Sequence, residues 1–450
     1  MSADDADVVE SGDAAAPSTG PCPTRWHPLT RVAFRFCVAY FGLFCLLFVQ
    51  IIFVFTGVFG WWLPHGVVLW QMSALGPVTE WVGRHGFGID AMLHEDSRSG
   101  DQAAMWVFMF NVLVVAVSAT VLWTALDRRR SNYHHLHAWF LVFLRVCLGG
   151  QMLYYGAVKV IPAQMPAPPL TELLRPYGQL SPNSVLFLQV GSSYPYEIAL
   201  GVVEVAAGVL LFVPRTATLG ALLGLASMAE VFLMNMTFDV SVKILSFQLL
   251  LLAVVLLAPQ AMRLTNVFIL ERPSQPVTQP ALFTTRRANK IAAAVQIALG
   301  AWVLAGCMLI GWLDWHEYGD GGPKPELYGI WSVTEFAVDG ASVPPLTTLQ
   351  DRWQRLIIED ANALTFQRMD GELVTVPAVI DAHRISLFTA PLTATLTINR
   401  TAPDRLRLAG KLAGRPVTIG LQRVDLNSFT LHGRGFHWVQ EYPDLYPNFK

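Results

Sequence analysis

Past residue 33 the chain is written in long apolar runs separated by short polar breaks. Runs at 34–59, 103–126, 137–160, 195–213, 218–236, 240–258 and 289–313 each hold about 20 residues or more, the length a helix needs to cross a ~30 Å hydrocarbon layer. The pattern predicts seven transmembrane helices. Between the first two, residues 61–100 carry Trp61, Trp62, Trp70 and Trp81 among several glycines. Tryptophan favours the headgroup layer, so this stretch reads as an interfacial segment, with a re-entrant piece as the alternative.

The period changes after Trp312. Gly319-Asp320-Gly321-Gly322-Pro323 breaks the helical pattern, and short alternating runs follow at 330–338, 355–358, 364–368, 393–398, 406–412 and 417–424. Asp339-Gly340, Asp370-Gly371, Pro403-Asp404 and Ala413-Gly414 supply the turns between them. Strands joined in this way predict an antiparallel sandwich or barrel, and about 125 residues are enough for eight or nine strands around their own core. The expected organisation is a disordered, acidic tail over 1–30, a transmembrane domain over 31–318 and a β-barrel domain over 319–450.

Composition sharpens the first part of this picture. Charged residues make up 14% of the chain, against about 25% in an ordinary soluble protein. Of 31 basic and 33 acidic residues, 29 in all fall within the 284 positions from 36 to 319. Such a stretch cannot solvate its surface in water. A soluble enzyme, a nucleic-acid-binding protein and a disordered scaffold are excluded for the chain as a whole, and the lipid bilayer is the first partner. The five cysteines form no Cys-x-x-Cys, which argues against a dithiol redox centre or zinc ribbon.

Lysine and arginine orient the spans. Arg25, Arg31 and Arg35, then Arg128-Arg129-Arg130, then Arg215, then Arg263, Arg272, Arg286, Arg287 and Lys290 occupy alternate loops. The positive-inside bias makes these loops cytoplasmic. The N-terminus is then cytoplasmic, and an odd number of spans puts the β domain outside. His134, His135 and His137 join the arginines as a basic interfacial collar.

Ionisable groups inside a bilayer are costly enough to mark function by default. Tyr155 and Lys159 lie in the outer half of the third span, and Glu197 and Glu204 share a stripe of the fourth with Gly201 and Gly208. Glu230 and Asn235 belong to the fifth, and Asp239 and Lys243 open the sixth at an i, i+4 spacing. All fall toward the β-domain side. They are expected to meet around a small ligand- or proton-handling pocket, with Lys159, Glu204 and Asp239 or Lys243 facing one another. The competing reading is a network that only pairs helices. No metal-ligand spacing accompanies these residues, and no catalytic residue can be assigned.

In the β domain, Gly329-Ile330-Trp331 resembles the Gly-x-Trp signature of lipocalins, in which an arginine of the last strand covers the tryptophan. Arg423 is the matching position. The resemblance implies a lipocalin-like barrel, either holding an apolar ligand or filled by its own side chains. Near the C-terminus, Arg434, His437 and Glu441 would share one face if helical, while Phe436, Trp438 and Tyr442 would dock on the barrel or the membrane interface.

The stretch 137–265 resembles the DoxX family of four-helix membrane proteins. The resemblance is carried by Leu153-Tyr154-Tyr155-Gly156-Ala157-Val158-Lys159, by Glu204 and Gly208, by Arg215-Thr216-Ala217-Thr218-Leu219-Gly220-Ala221, and by Asn235 with Phe238-Asp239-Val240-Ser241-Val242-Lys243. It implies a bacterial inner-membrane protein that is a subunit or accessory of a quinone-linked redox system. Quinone would then be the cofactor, and other membrane redox subunits the partners. The residues leave two alternatives open, a lipid- or small-apolar-ligand-binding or transport-linked protein and a non-catalytic membrane scaffold.

Overall fold

The computed structural model describes residues 25–64, 70–97, 99–274, 279–317, 319–389 and 392–441. Most of the predicted tail, together with Cys22, Arg98 and Tyr442, lies outside the described residues. Among those described, seven helices are long and apolar enough to cross a membrane. They are α1 (Pro28–Leu47), α2 (Ala103–Leu126), α3 (His134–Val160), α4 (Tyr194–Phe212), α5 (Ala217–Thr237), α6 (Lys243–Phe268) and α7 (Arg286–Glu317). Val114, Val115, Val121 and Leu122 of α2 lie on its exposed face, where only a bilayer can cover them. The chain is a multi-pass membrane protein.

Two boundaries differ from the apolar pattern. Residues 28–30, read as tail, already belong to α1, because Pro28 suits the first turn and His27 Nδ1 accepts from Leu29 N. The run 34–59 is not one helix. It breaks at Phe48, whose backbone is extended, and resumes as a short helix (Val49–Phe53) and a 3-10 segment (Val54–Trp62). Gly57 stands inside that segment at φ 59° and ψ −130°, a conformation open to glycine alone. A Cβ there would lie 2.3 Å from Trp302 Nε1 of α7, whose N–H donates to the Phe55 carbonyl at 3.1 Å. The interfacial stretch holds a 13-residue helix (Trp70–Val82), too short to span, with Trp70 and Trp81 exposed.

Helices α3 and α4 form the most extensive helix contact of the bundle. Glycines allow it: a Cβ on Gly201 of α4 would sit 2.7 Å from the Gly156 carbonyl oxygen of α3, and one on Gly208 2.7 Å from Leu153. Phe44, Leu144, Leu148, Met152, Leu211, Leu249 and Leu252 fill the core between helices. Arg145 of α3 is buried and donates to Gln296 Oε1 of α7. At the end of the bundle near His134, Arg35 donates to Tyr133 Oη at 2.6 Å and to the Asp127 carbonyl at 2.7 Å. Trp26 stacks edge-on against His134 and His137 there, completing a basic collar.

The β domain is a closed, antiparallel, up-and-down barrel. Its strands are β1 (Gly329–Val338), β2 (Ala341–Ser342), β3 (Trp353–Ile358), β4 (Ala363–Arg368), β5 (Leu373–Ile380), β6 (Arg384–Leu387), β7 (Ala394–Ala402), β8 (Arg405–Leu412) and β9 (Arg415–Arg423). Each of β3 to β8 pairs with the next, β1 pairs with both β3 and β9, and the two-residue β2 hangs on β1. Eight strands therefore close the ring. Burial alternates along β7 and β8 as a one-sided strand requires. Trp331, Phe336, Trp353 and Phe366 occupy the interior with a shell of leucines and isoleucines, and Trp353 stacks on Phe366 at 4.8 Å.

The loop between α3 and α4 docks on this barrel. Leu170 is buried against Ile330 and Ile357, with Leu173, Leu174 and Phe429 around it. Glu359, just past β3, accepts from Leu170 N at 2.5 Å and from Thr171 Oγ1 at 3.3 Å. Asp320 accepts from Ala167 N at 3.0 Å and from the Tyr194 hydroxyl.

Candidate functional site

The site is built where α3 and α4 touch. Lys159 Nζ donates to Glu204 Oε2 at 2.6 Å, and the two residues are 6% and 2% exposed. Neither can reach water, so each supplies the counter-charge the other needs in hydrocarbon. The Lys159 ammonium also lies 5.8 Å from the centre of the Tyr155 ring. The Tyr155 hydroxyl accepts from Gln50 Nε2 at 2.5 Å, and the Gln50 carbonyl accepts from Gln151 Nε2 at 2.9 Å. Gln50 stands just beyond the break that ends α1. Tyr155 thus joins the ion pair to that break.

Two more acids border the pair. Glu197, one turn from the start of α4, is fully buried, and its Oε1 accepts from Met165 N at 3.1 Å. Its Oε2 has no partner. Glu230 of α5 is half-buried and within electrostatic reach of Glu204 and Lys159. Asn235 faces elsewhere, donating to Ser246 Oγ of α6 at 3.0 Å and tying α5 to α6.

Asp239 and Lys243 do not face Lys159 and Glu204, contrary to the expected single network. They pair with each other at 2.8 Å, and Lys243 also lies 3.7 Å from Asp101. The reason is local. Asp101, ahead of α2, accepts from the backbone N–H of Lys243 and Ile244 at 2.8 and 3.0 Å. It caps α6, and its charge draws Lys243 to that helix end.

A cavity of about 670 Å³ opens at the same end of the bundle. Phe48, Phe53 and Trp61 from the broken end of α1, with Met105 of α2, give it apolar walls. Gln50, Tyr154 of α3 and Asp314 of α7 place polar groups in its lining, and His94, Glu95, Ser97, Ser99 and Gln102 ahead of α2 add more. Tyr154 packs edge-on against Tyr155 at 5.2 Å. Sequence reasoning missed Gln50 and Asp314. Gln50 was the available signal, a lone amide within an apolar run seven residues before a glycine.

In the barrel, β1 and β9 bring Trp331 opposite Arg423 in register, with the guanidinium 5.9 Å from the ring centre. Trp331 is 1% exposed and donates to the Leu327 carbonyl at 2.9 Å. Arg423 Nη2 donates to the Tyr328 carbonyl at 2.9 Å and so closes one end of the barrel. The C-terminal cluster is different from its expectation. Helix is limited to Thr430–Gly433, so Arg434, His437 and Glu441 share no helical face. Gly435 at φ 67° turns the chain out of helix. Phe436 and Trp438 are exposed and pack on each other at 5.0 Å rather than on the barrel. Among the described residues no group of three or more His, Cys, Asp or Glu is arranged to hold a metal ion.

The fold and site thus define a multi-pass membrane protein that carries a buried ion pair and a cavity on the barrel side of its helix bundle. No protein-family model matches the chain, and no solved structure does. An uncharacterised protein of Bacillus subtilis (strain 168), YwoB, is 28% identical over 133 residues, covering 28% of this chain and 79% of YwoB.

Proposed function

We propose that the chain is a DoxX-like subunit or accessory of a quinone-linked redox system in a bacterial inner membrane, with the N-terminus cytoplasmic and the barrel outside. The observation that carries this reading is the cavity at the break in α1. At about 670 Å³ it falls in the range of small-molecule sites. Aromatic walls with Gln50, Tyr154 and Asp314 among the lining groups suit a flat, lipid-soluble ring bearing carbonyl oxygens. An amide N–H and a phenol O–H can donate to such oxygens, and Asp314 can take or give a proton.

The alternative of an apolar ligand inside the barrel loses its chamber, because Trp331, Phe336, Trp353 and Phe366 occupy the interior. A lipid in the bundle cavity remains the second reading.

Titration of the purified protein with a short-chain ubiquinone, followed by tryptophan quenching, tests the proposal. Saturable quenching is expected, weakened at least tenfold by Tyr154→Phe together with Gln50→Leu. Tenfold corresponds to about 1.4 kcal/mol, the size of one or two lost hydrogen bonds. Quenching that is unsaturable, or indifferent to both substitutions, would refute the quinone assignment. Mass spectrometry of extracted lipids would then identify a phospholipid occupant.

A further inference from the structure

Lys159 has one acid in contact, Glu204, and a second buried acid, Glu197, on the same facing helix. A Cβ placed on Gly201 would lie 2.8 Å from Lys159 Cβ, so the lysine stem is rooted at the level of that glycine. Glu197 lies one helical turn before Gly201 on α4, and Glu204 one turn after it. The lysine therefore starts midway between the two carboxylates. Its ammonium sits on Glu204 at 2.6 Å, while Glu197 is 0% exposed and keeps one oxygen without any partner. That oxygen is the independent sign of a second position. A lone ionised carboxylate is expensive to bury, whereas a neutral acid costs far less. A lysine stem has the length and rotational freedom to serve both.

We propose that Lys159 is a two-position proton carrier: its amine moves between Glu204 and Glu197, and the acid it leaves holds the proton. The arrangement observed has the ammonium on Glu204, so in this cycle Glu204 starts as the carboxylate and Glu197, with its unpartnered oxygen, as the neutral acid. The forward step breaks one Lys159 N–H bond and forms an O–H bond on Glu204. The neutral amine then swings to Glu197 and takes its proton, breaking that O–H bond and re-forming the ammonium beside a Glu197 carboxylate. One proton has moved seven residues along α4, about 10 Å at 1.5 Å per residue. At each stage every charge in hydrocarbon is paired or absent.

The surroundings give this carrier two ends. Near Glu197 stands Tyr194, whose hydroxyl donates to Asp320 below the barrel. Near Glu204 stand Glu230 of α5 and, on α3, Tyr155, which reaches the cavity through Gln50. Tyr154, whose ring packs on Tyr155, and Asp314 of α7 are the next titratable groups along the cavity wall. The inference does not rest on the cavity's ligand being a quinone, since it concerns the protein alone.

Infrared difference spectroscopy of the purified protein at neutral pH reads the C=O stretch of protonated carboxylic acids. The wild type should show such a band that Glu197→Gln removes. Glu204→Gln decides the matter. With its partner gone, the ammonium should move to Glu197, and the same band should vanish although Glu197 is intact. A fixed Lys159–Glu204 pair requires the opposite, a Glu197 band unchanged in Glu204→Gln, and that result would overturn the proposal. A wild-type spectrum indifferent to Glu197→Gln would overturn it equally. Glu204→Ala makes the same displacement test if the glutamine variant does not fold.

Discussion

At the residue scale, the site depends on two glycines as much as on its charges. Gly156 and Gly201 let α3 and α4 approach until Lys159 and Glu204 meet at 2.6 Å. A valine at 201 has no room, because its Cβ would fall 2.7 Å from both the Gly156 carbonyl oxygen and the Val160 nitrogen. These are backbone atoms and cannot rotate away. Gly201→Val should therefore lower stability by about 1–3 kcal/mol, the usual cost of overpacking, visible as a lower melting temperature in detergent. An unchanged melting temperature would mean that the helices separate without loss, and that the close contact is incidental. The pairing of Lys159 with Glu204 was legible in the sequence, since depth along antiparallel spans places both toward the same end of the bundle. Gln50 was not. Its role comes from a break in the helix that precedes it, and the lone amide in an apolar run marks a polar group there without marking the break.

Elements explain the rest of what the pattern hid. The run 34–59 is uniformly apolar, so periodicity alone extends one helix through it. The kink comes from a tertiary fit, in which Trp302 of α7 occupies the space that a side chain at Gly57 would need. Likewise Asp239 and Lys243 were assigned to the central network by depth, whereas Asp101, a loop residue far away in sequence, captures Lys243, which in turn holds Asp239. The strands were more readable, because alternation and turn dipeptides are local signals. Two strands of the ring escaped: β5 (Leu373–Ile380), whose alternation is interrupted by Pro377, and β6 (Arg384–Leu387), which is only 4 residues long.

The contact between the α3–α4 loop and the barrel carries its own titration. Burial raises the Glu359 carboxyl above its usual value, and the hydrogen bonds from Leu170 and Thr171 offset this only in part. A carboxyl raised in the folded state binds its proton more tightly there than when the contact is open. The contact is then strongest at pH below the ordinary carboxyl range, near 4.3, and weakens as pH rises through the raised value. Hydrogen exchange at the Leu170 amide should therefore show greater protection at pH 4.5 than at pH 7, after correction for intrinsic rates. Glu359→Gln should flatten that dependence. Protection that grows with pH would contradict the sign of the shift.

Across the whole molecule, the seven spans among the described residues precede the barrel, and the arginines in alternate loops predict which side each end occupies. A reporter active only outside the cytoplasm should give signal when fused after Lys450 and none when fused at Arg129. The reverse pattern would invert the molecule and place the cavity mouth on the cytoplasmic side. The barrel is held at that end by Leu170, Glu359 and Asp320, so it stands over the same end of the bundle that bears the ion pair and the cavity.

The pairing of β1 with β9 has a consequence for biosynthesis. The helices can associate as they leave the ribosome, since α3 and α4 are neighbours in the chain and need nothing made later. The barrel cannot. Its first strand lacks one partner until residues 415–423 have been synthesised, and until then β1 presents an open edge. The loop at Leu170 is made long before and waits beside Ile330, which belongs to that first strand. A bundle already assembled in the bilayer thus offers the nascent sheet an apolar surface on which to rest before the ring can shut.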